Sequence, residues 1–515
     1  MTAAGLLILT SGFILMTLAG VSVVRRRILD YKYLAFSAVA IGMFASVMDH
    51  GSVNVALPTI AGHFQSDFTA VQWVTIGYAL TISALLLPMG RLSDLLGRKK
   101  VYIIGSLVFI LGAAVAGSSS NLTILIAARI FQGCGAAMTQ GTGMAIVIAA
   151  FPESERGKAI GLIMTMVGTG AIAGPAIGGL LVDALGWRSV FLANIPLTLL
   201  GVAACMAILV ERHDAQPTQD GQERKFDWLG AALSTGALIT LLLALTNGPR
   251  SGWTSPLILV EIQSFVVLLG TFIWWELRTT GPLLDLRLFQ RNVFALGVSA
   301  HFLLFLGSSA ALFLTPFYLQ VVLGYTPRET GLILVPNAVC MALLGPLSGH
   351  LSDRFGWRRF TVGGLVLSTT GLFLLSRLTE GSSLAQVMLA LMLQSSGMGV
   401  FYSPSSSSIL SAVGKERYGV IVGFLNLIRN AANVTSVAMA AAIVTATMGT
   451  MGYEPSLDAV RGGSGAGVSY AFTLGLRHAY LTMMGLLLVA MAVSVLQVSP
   501  EPSPRGGQLE EAPTS

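Results

Sequence analysis

The chain of 515 residues is 54% hydrophobic and only 10% charged, and its formal net charge is +6. Soluble domains carry about 25% charged residues, so this composition excludes an ordinary soluble protein and places most of the chain in lipid. The positive charges lie in short loops and form no stripe with interleaved aromatic residues, so nucleic acid is not expected as a partner. Cys134, Cys205 and Cys340 lie inside apolar segments and are expected to be core residues, not metal ligands or disulfides.

Apolar runs of about 20 residues, the length that spans a bilayer as a helix, recur along the whole chain. The first run has its positive charges after the apolar stretch, at Arg25–Arg27, and no small-residue cleavage site follows. It is therefore interpreted as a retained helix outside the main bundle, not as a signal peptide. The fifteen predicted spans are 4–24, 34–56, 70–90, 101–118, 121–143, 158–183, 189–210, 227–247, 255–277, 293–320, 330–350, 360–377, 384–412, 418–448 and 474–498.

The distribution of Lys and Arg supports this topology. If the loop 25–33 is cytoplasmic and the sides alternate, 22 of the 30 basic residues fall on the cytoplasmic side and six on the other. The N-terminus is then outside a plasma (inner) membrane and the C-terminus in the cytoplasm. The predicted division is an extra N-terminal helix and basic loop at 1–33, a six-helix bundle at 34–210, a linker with an inserted helix pair at 211–291, a second six-helix bundle at 292–498 and a disordered tail at 499–515.

One loop sequence occurs twice. Gly90–Lys100 and Gly349–Arg359 each join two apolar segments and share a glycine, a serine–aspartate pair and basic residues at matching positions. Such a repeat predicts two related halves, an arrangement common among transporters. In the first copy Asp94 can accept hydrogen bonds from a helix N-terminus or pair with Arg98, which would latch this face. The candidate latch residues are Gly90, Asp94, Arg98, Gly349 and Asp353.

Two opposite charges lie inside predicted spans at compatible depths. Asp49 is roughly 22 Å along its helix, and Arg129 is roughly 12 Å from the opposite end of a helix that runs the other way. A charge at mid-bilayer costs about 2.5–3.5 kcal/mol on insertion scales. Burial favours a protonated Asp and a nearby Arg favours the carboxylate, so the pair is predicted to couple proton loading to helix movement. A purely structural ion pair is the alternative. Gln132 shares a helix face with Arg129 and is expected to line the same cavity.

Small residues recur along the span 158–183. Glycines four apart allow two helices to approach closely, and a proline removes one backbone hydrogen bond and bends the helix. The pattern predicts a kinked, leak-tight hinge at a helix interface. Its residues are Gly161, Gly170, Gly174, Pro175, Gly178 and Gly179.

Four further polar residues lie in predicted spans. His50 adjoins Asp49 but points about 100° away, so it is expected to be a packed, neutral histidine, with a proton relay as the alternative. His301 is interpreted in the same way. Glu261 lies near a helix end and is expected to face water. Arg429 stands among three asparagines, which favours interhelical hydrogen bonding over substrate contact.

These motifs resemble the major facilitator superfamily, and the layout of fourteen helices with an inserted pair resembles its 14-helix drug:proton antiporter branch. The similarity covers residues 34–498. It departs at His50-Gly51-Ser52, at Asn430–Asn433 and in the extra N-terminal helix. The motifs that carry the resemblance are Met48–Pro58, Gly90–Lys100, Leu125–Ala137, Gly161–Gly179, Trp187–Pro196, Phe226–Gly230 and Pro282–Leu286.

The resemblance implies an all-α polytopic membrane protein with the major facilitator fold, two six-helix bundles, an inserted helix pair and an extra N-terminal helix. It implies gating by the repeated loop and antiport by the glycine–proline pattern. It also implies a cavity lined by the first and fourth helices of each half. The candidate substrate-binding residues are Asn54, Gln132, His301, Phe305, Tyr318, Gln394, Met398 and Tyr402.

The sequence thus predicts a proton-coupled exporter of lipophilic or cationic drug-like compounds, driven by the proton gradient without a cofactor. An exporter of lipids or of an endogenous metabolite is the closest alternative, and a non-transporting membrane scaffold is another. An enzyme is not expected, because no nucleophile–base set, metal cluster or phosphate loop is recognised. Whether a periplasmic adaptor takes part is left open.

Overall fold

The computed structural model describes residues 31–66, 68–152, 155–210, 227–252, 254–279, 286–411, 413, 418–453 and 466–497. The predicted first span, 4–24, and the tail from residue 499 lie outside the described residues. Four short helical segments lie between the longer helices: Phe68–Val71, Arg188–Leu192, Leu286–Gln290 and Tyr318–Val322. The long helices are α1 (Tyr31–Phe64), α2 (Trp73–Leu96), α3 (Arg98–Gly117), α4 (Leu122–Ala150), α5 (Arg156–Leu185), α6 (Asn194–Ile208), α7 (Trp228–Ser251), α8 (Pro256–Glu276), α9 (Asn292–Phe317), α10 (Pro327–Phe355), α11 (Trp357–Leu375), α12 (Leu384–Ser411), α13 (Tyr418–Thr450) and α14 (Ala466–Leu496).

Each predicted span from 34 to 498 overlaps one long helix, with differences at the helix ends, and the described part of the chain contains no strand. Eleven of the described helices are long and apolar enough to cross a membrane. Two more, α2 and α7, contain shorter apolar stretches, and α11 begins with a basic pair that lowers its hydropathy. The chain is therefore an all-α, multi-pass membrane protein.

The helices pack in two similar sets. In the first set α3 lies against α4, and α1 lies against α5 and α6; in the second, α11 lies against α12, and α9 lies against α13 and α14. The sets meet where α5 packs on α10 and where α2 packs on α13. The inserted helix α7 packs on both α2 and α13, whereas α8 packs on α7 and exposes most of its apolar side chains. The α7–α8 pair therefore borders both sets.

Polar contacts join the two inserted helices. The indole nitrogen of Trp275 donates to Asp227 at 2.8 Å, and the amide of Asn247 donates to Glu261 at 3.3 Å. Glu261 is half-buried. The expectation that Glu261 simply faces water is therefore wrong, because its carboxylate bonds to the neighbouring helix.

The repeated loop has the same backbone in both copies. Gly97 and Gly356 have φ angles of 99° and 87°, a region that favours glycine, and each ends one helix and starts the next. The hydroxyls of Ser93 and Ser352 donate to carbonyls three residues earlier, at 2.6 and 2.7 Å. The sequence repeat is thus a structural repeat.

Basic side chains at matching loop positions tie each copy to the last helix of its own set. Lys99 donates to the carbonyl of Leu209 at 2.5 Å, and Arg358 donates to the carbonyl of Val495. These carbonyls lie at helix C-termini, where cations are stabilised by the helix dipole. Arg98 donates to a carbonyl on α4 at 3.4 Å. The side chains of the two loop aspartates, Asp94 and Asp353, lie outside the described part of the structure, so their latch role stays a prediction.

Two alanine substitutions near this loop should have opposite effects on stability. Gly356→Ala would force a side chain into a positive-φ conformation, which costs about 1–3 kcal/mol. Gly363→Ala, inside α11 with open space around it, should stabilise the helix by about 0.8–1 kcal/mol. Thermal unfolding in one detergent should show a lower midpoint for the first variant and a higher midpoint for the second. Equal shifts would contradict the backbone argument.

Candidate functional site: a buried ion-pair network

Asp49 on α1 and Arg129 on α4 form an ion pair. The guanidinium nitrogen Nη1 of Arg129 lies 2.6 Å from Oδ2 of Asp49, and both side chains are 0% exposed. Asp49 lies near the middle of α1 and Arg129 about two turns from the start of α4, and the surrounding residues of both helices are mostly apolar and buried. The two charges that the sequence puts at compatible depths are thus in direct contact.

Neighbouring helices complete the network around this pair. Asn194 on α6 donates to Oδ1 of Asp49 at 2.7 Å, and Gln132 accepts from Arg129 at 2.7 Å and reaches Asp49 at 3.4 Å. The guanidinium also donates to the carbonyl of Val74 on α2 at 3.1 Å. Its carbon lies 3.9 Å from the ring centroid of Tyr78, a cation–π distance. Four helices therefore hold one charge pair.

The network is closed to solvent in this conformation. Gln132 and Asn194 are 0% exposed, and Tyr78 is 1% exposed. A buried ion pair is stable only while its partners satisfy both charges, since removing one partner leaves an uncompensated charge at a cost of about 3–5 kcal/mol. Protonation of Asp49 would remove its negative charge without removing the side chain. The arrangement can therefore link a proton to the packing of α1 against α4 and α6.

Sequence reasoning missed Asn194 and Tyr78 as parts of this network. The sequence marks Asn194 only as part of the motif Trp187–Pro196, although a polar side chain inside an apolar span is itself a signal. Tyr78 gives no such signal, because a tyrosine in an apolar helix is common. The hydroxyl of Tyr78 lies 2.8 Å from that of Ser46, which in turn accepts from Gln140 at 2.9 Å.

Removal of the Asn194 amide should destabilise the protein measurably. Asn194→Ala deletes a 2.7 Å hydrogen bond to a buried carboxylate, and hydrogen bonds to charged groups contribute about 1.5–3 kcal/mol. We expect a clear decrease in the midpoint of thermal unfolding in detergent. Asn247→Ala, which deletes a longer contact on the peripheral helix pair, is the matched control and should shift the midpoint less. Equal shifts would show that the Asn194 contact contributes nothing specific.

The glycines of α5 pack so closely on α1 that the backbones of the two helices are in contact. A methyl group added at Gly174 would lie 2.8 Å from the carbonyl oxygen of Met48, and one added at Gly178 would lie 2.7 Å from the Cβ of Ser52. Gly170 packs likewise one turn earlier. The residues they contact flank Asp49 on α1, so the predicted close helix interface is present and involves the helix that carries the ion pair.

The adjacent face of α5 contacts the second set of helices. A methyl group added at Gly179 would lie 3.1 Å from the Cα of Gly331 on α10, and the carbonyl of Pro175 also packs on Gly331. Gly161 lies within α5, but its surroundings are outside the described part of the structure. Through these contacts α5 touches both the Asp49-bearing helix and the opposite set.

Most candidate residues of the second set meet in one place, here called the aromatic cluster: His301, Phe305, Met398 and Tyr402. The ring of His301 lies 5.1 Å from Phe305 and 5.3 Å from Tyr402, and Met398 packs with them. Gln394 donates to the sulfur of Met398 at 3.2 Å. Tyr402 and Met398 are partly exposed, and His301 is fully buried.

Two candidates lie apart from both groups. Tyr318 donates to the carbonyl of Thr379 at 2.6 Å, beyond the end of α9 and about 20 Å along the helix from Phe305. Asn54 accepts from Thr75 at 3.4 Å within the first set. The structure therefore gives Tyr318 a position between helix ends and does not bring it to the other candidate substrate-binding residues.

Comparison with known proteins identifies the family. The family model described as Major Facilitator Superfamily matches residues 39–437 and again 297–515. The "Multidrug resistance protein Stp" of Mycobacterium tuberculosis is 34% identical over 83% of this chain and 78% of its own length. The "Riboflavin transporter RibZ" of Clostridioides difficile is 32% identical over 78% of this chain and 85% of its own length.

A solved structure shows the same fold. The inward-facing, unoccupied form of a bacterial homolog to the human lysosomal transporter Spinster superposes with a TM-score of 0.63, at 16% identity, over 92% of this chain and 98% of that one. With the family match over most of the chain, the fold and the relatives agree. The chain belongs to the Major Facilitator Superfamily and is a multi-pass membrane transporter.

Proposed function

We propose that the chain is a proton-coupled exporter of lipophilic or cationic drug-like compounds, in the 14-helix drug:proton antiporter branch of the superfamily. The observation that carries the proposal is the fully buried Asp49–Arg129 pair, held at 2.6 Å on a helix that packs against the glycine face of α5. The similarity to a multidrug resistance protein supports the drug class. Among the described residues, the only other buried acidic side chain is Glu276, at the end of the peripheral helix α8.

Proton coupling would act through the charge of Asp49. With the carboxylate charged, Arg129 and Asn194 hold α1, α4 and α6 together. Protonation would remove the Coulomb attraction and leave Arg129 in need of another partner, so the helices would favour a different packing. A proton can then shift the balance between two conformations in proportion to its differential binding to them.

The contacts of α5 offer a route from the ion pair to the opposite set of helices. On one face Gly174 approaches the carbonyl of Met48, next to Asp49, and on the adjacent face Gly179 approaches Gly331 of α10. Because glycine surfaces are smooth, the helices can slide or rock against each other while remaining sealed. We propose that this interface couples the charge state of Asp49 to alternating access between halves at 34–210 and 292–498, with the α7–α8 pair bridging them.

The orientation follows from the positive loops. The repeated basic loops at 90–100 and 349–359 would lie in the cytoplasm, and the C-terminus with them. The N-terminus would lie outside a plasma (inner) membrane. In this orientation the glycine–proline interface of α5 and α10 lies toward the outer ends of both helices.

Transport of an endogenous metabolite or lipid is the second candidate function, and the similarity to a riboflavin transporter favours the metabolite. An accumulation assay separates the candidates. Cells lacking their own exporters would be loaded with ethidium, riboflavin or a fluorescent phospholipid and then energised. The proposal predicts less ethidium in cells expressing the protein, with the difference abolished by a protonophore. Unchanged ethidium together with energy-dependent loss of riboflavin or lipid would replace the proposed substrate class.

A further inference from the structure

Arg429 on α13 is a positively charged side chain for which the described residues provide no partner. It is only partly exposed, and among the described residues it makes no hydrogen bond and no ion pair. Its helix, α13, packs both on α2 of the first set and on α9 of the second, and its charge acts on His50 of α1 and His301 of α9. The hydrogen bonds that the asparagine-rich sequence predicts for Arg429 are therefore not found in the described structure.

The register of α9 and α13 places Arg429 beside the aromatic cluster. The hydroxyl of Ser309 donates to the side chain of Asn433, and the backbone amide of Ala310 donates to the hydroxyl of Ser436 at 2.9 Å. From the first contact to the second, the residue number increases on both helices, so the two helices run parallel at this point. Because each rises about 1.5 Å per residue, Arg429, four residues before Asn433, is level with the aromatic cluster.

Among the described residues, no acidic side chain balances the charge of Arg429. Asp49 is a buried acidic side chain that could pair with Arg429. Its two oxygens, however, already accept from Arg129, Asn194 and Gln132. Arg129 compensates that charge, so the charge of Arg429 remains. A cation inside the membrane region is costly unless it is paired, and a ligand that carries a negative charge would pair it.

We propose that Arg429 is the anchor of an anion-binding subsite between the two sets of helices. The inference rests on the proposed exporter function and selects, among its lipophilic substrates, those with an anionic group over the cationic ones. Substrates would carry a carboxylate, sulfonate or phenolate group on an aromatic, apolar body. The anionic group binds the guanidinium, and the apolar body lies against the partly exposed Met398 and Tyr402 of the aromatic cluster.

Two histidines supply further donors to this subsite. His301 is fully buried, and neither of its ring nitrogens has a hydrogen-bond partner among the described residues. A neutral imidazole carries one N–H donor, and leaving such a donor buried and unpaired is unfavourable. His50 of α1, which is partly exposed, presents a second imidazole.

Two dyes with the same xanthene ring test the proposal by binding. Sulforhodamine B has a net negative charge, and rhodamine 6G is a permanent cation. Fluorescence polarisation with the full-length protein in a neutral detergent would give the Kd of each dye. We expect sulforhodamine B to bind at least tenfold more tightly than rhodamine 6G. Arg429→Gln should weaken sulforhodamine B at least tenfold, whereas Arg429→Lys, which keeps the charge, should weaken it less.

Controls separate the subsite from misfolding and from the exporter proposal. Arg477→Gln, at an exposed arginine of α14, should leave both dyes unchanged. If Arg429→Gln does not fold, the comparison of the two dyes on the unmodified protein decides. Equal or tighter binding of rhodamine 6G would overturn the subsite. An equal Kd of sulforhodamine B for the unmodified protein and for Arg429→Gln would overturn it as well. Arg429-dependent dye binding without any proton-driven transport would keep the subsite and overturn the exporter function.

Discussion

Asp49→Asn is expected to abolish uphill transport while leaving downhill exchange. Asn fills the same space but cannot take up or release a proton. A pH gradient can therefore no longer drive the rearrangement of the helices. In reconstituted vesicles, gradient-driven accumulation of substrate should decrease at least tenfold, and exchange of labelled for unlabelled substrate without a gradient should stay within threefold. The substitution also leaves Arg129 without a counter-charge, so thermal stability in detergent should decrease by an amount that corresponds to about 3–5 kcal/mol.

Two further variants show whether the loss is specific to this carboxylate. Asp49→Glu keeps a titratable group and should retain part of the uphill transport. Asp183→Asn, at an exposed position near the end of α5, removes a carboxylate of the same kind and should behave as the unmodified protein. If Asp49→Asn still accumulates substrate against its gradient, the proton is carried by another group and the role assigned to the ion pair is wrong.

Gly174→Ala is expected to impair both stability and transport. The added methyl group would lie 2.8 Å from the carbonyl oxygen of Met48 and 3.0 Å from the Cα of Gly51. Both atoms belong to backbone, so α1 and α5 must separate to accommodate it. Overpacking of this kind typically costs about 1–3 kcal/mol. Because the displaced turn of α1 carries Asp49, we expect at least a tenfold decrease in transport rate at equal protein levels in the membrane.

The matched control lies in the same helix. A methyl group at Gly168 would meet only the side chain of Ala342, at 3.6 Å, an ordinary van der Waals distance. Gly168→Ala should therefore keep the transport rate and the unfolding midpoint of the unmodified protein. A Gly174→Ala protein that transports normally would show that close contact between α1 and α5 is dispensable for the cycle.

The helical part of the fold is readable from the sequence because burial in lipid leaves a strong hydropathy signal. The prediction 384–412 corresponds to Leu384–Ser411, and 418–448 corresponds to Tyr418–Thr450. The errors lie at helix ends: the prediction 330–350 falls short of Pro327–Phe355 because that helix continues through the polar loop motif. Hydropathy marks where a helix crosses lipid, whereas hydrogen bonding and the positive-φ glycine at 356 decide where it stops.

Residues of the site can be predicted from the sequence only where a charged residue lies inside an apolar span. A charge inside an apolar span marks Asp49 and Arg129, and helix geometry puts them at matching depths. The partners Tyr78 and Asn194 depend on how α2 and α6 pack around the pair, which no local pattern specifies. Tyr318 was nominated from its helix alone, and its distance along that helix from Phe305 separates it from the cluster.

The central claim, that transport by this chain is coupled to protons, is tested most directly in proteoliposomes with an imposed inside-acid pH gradient. A pH-sensitive dye trapped inside would report proton efflux when ethidium or 1-naphthalenesulfonate is added outside. The account predicts that at least one of the two compounds dissipates the gradient through the unmodified protein and that Asp49→Asn abolishes this effect. Entry of one or both compounds while neither of them releases protons would contradict proton coupling.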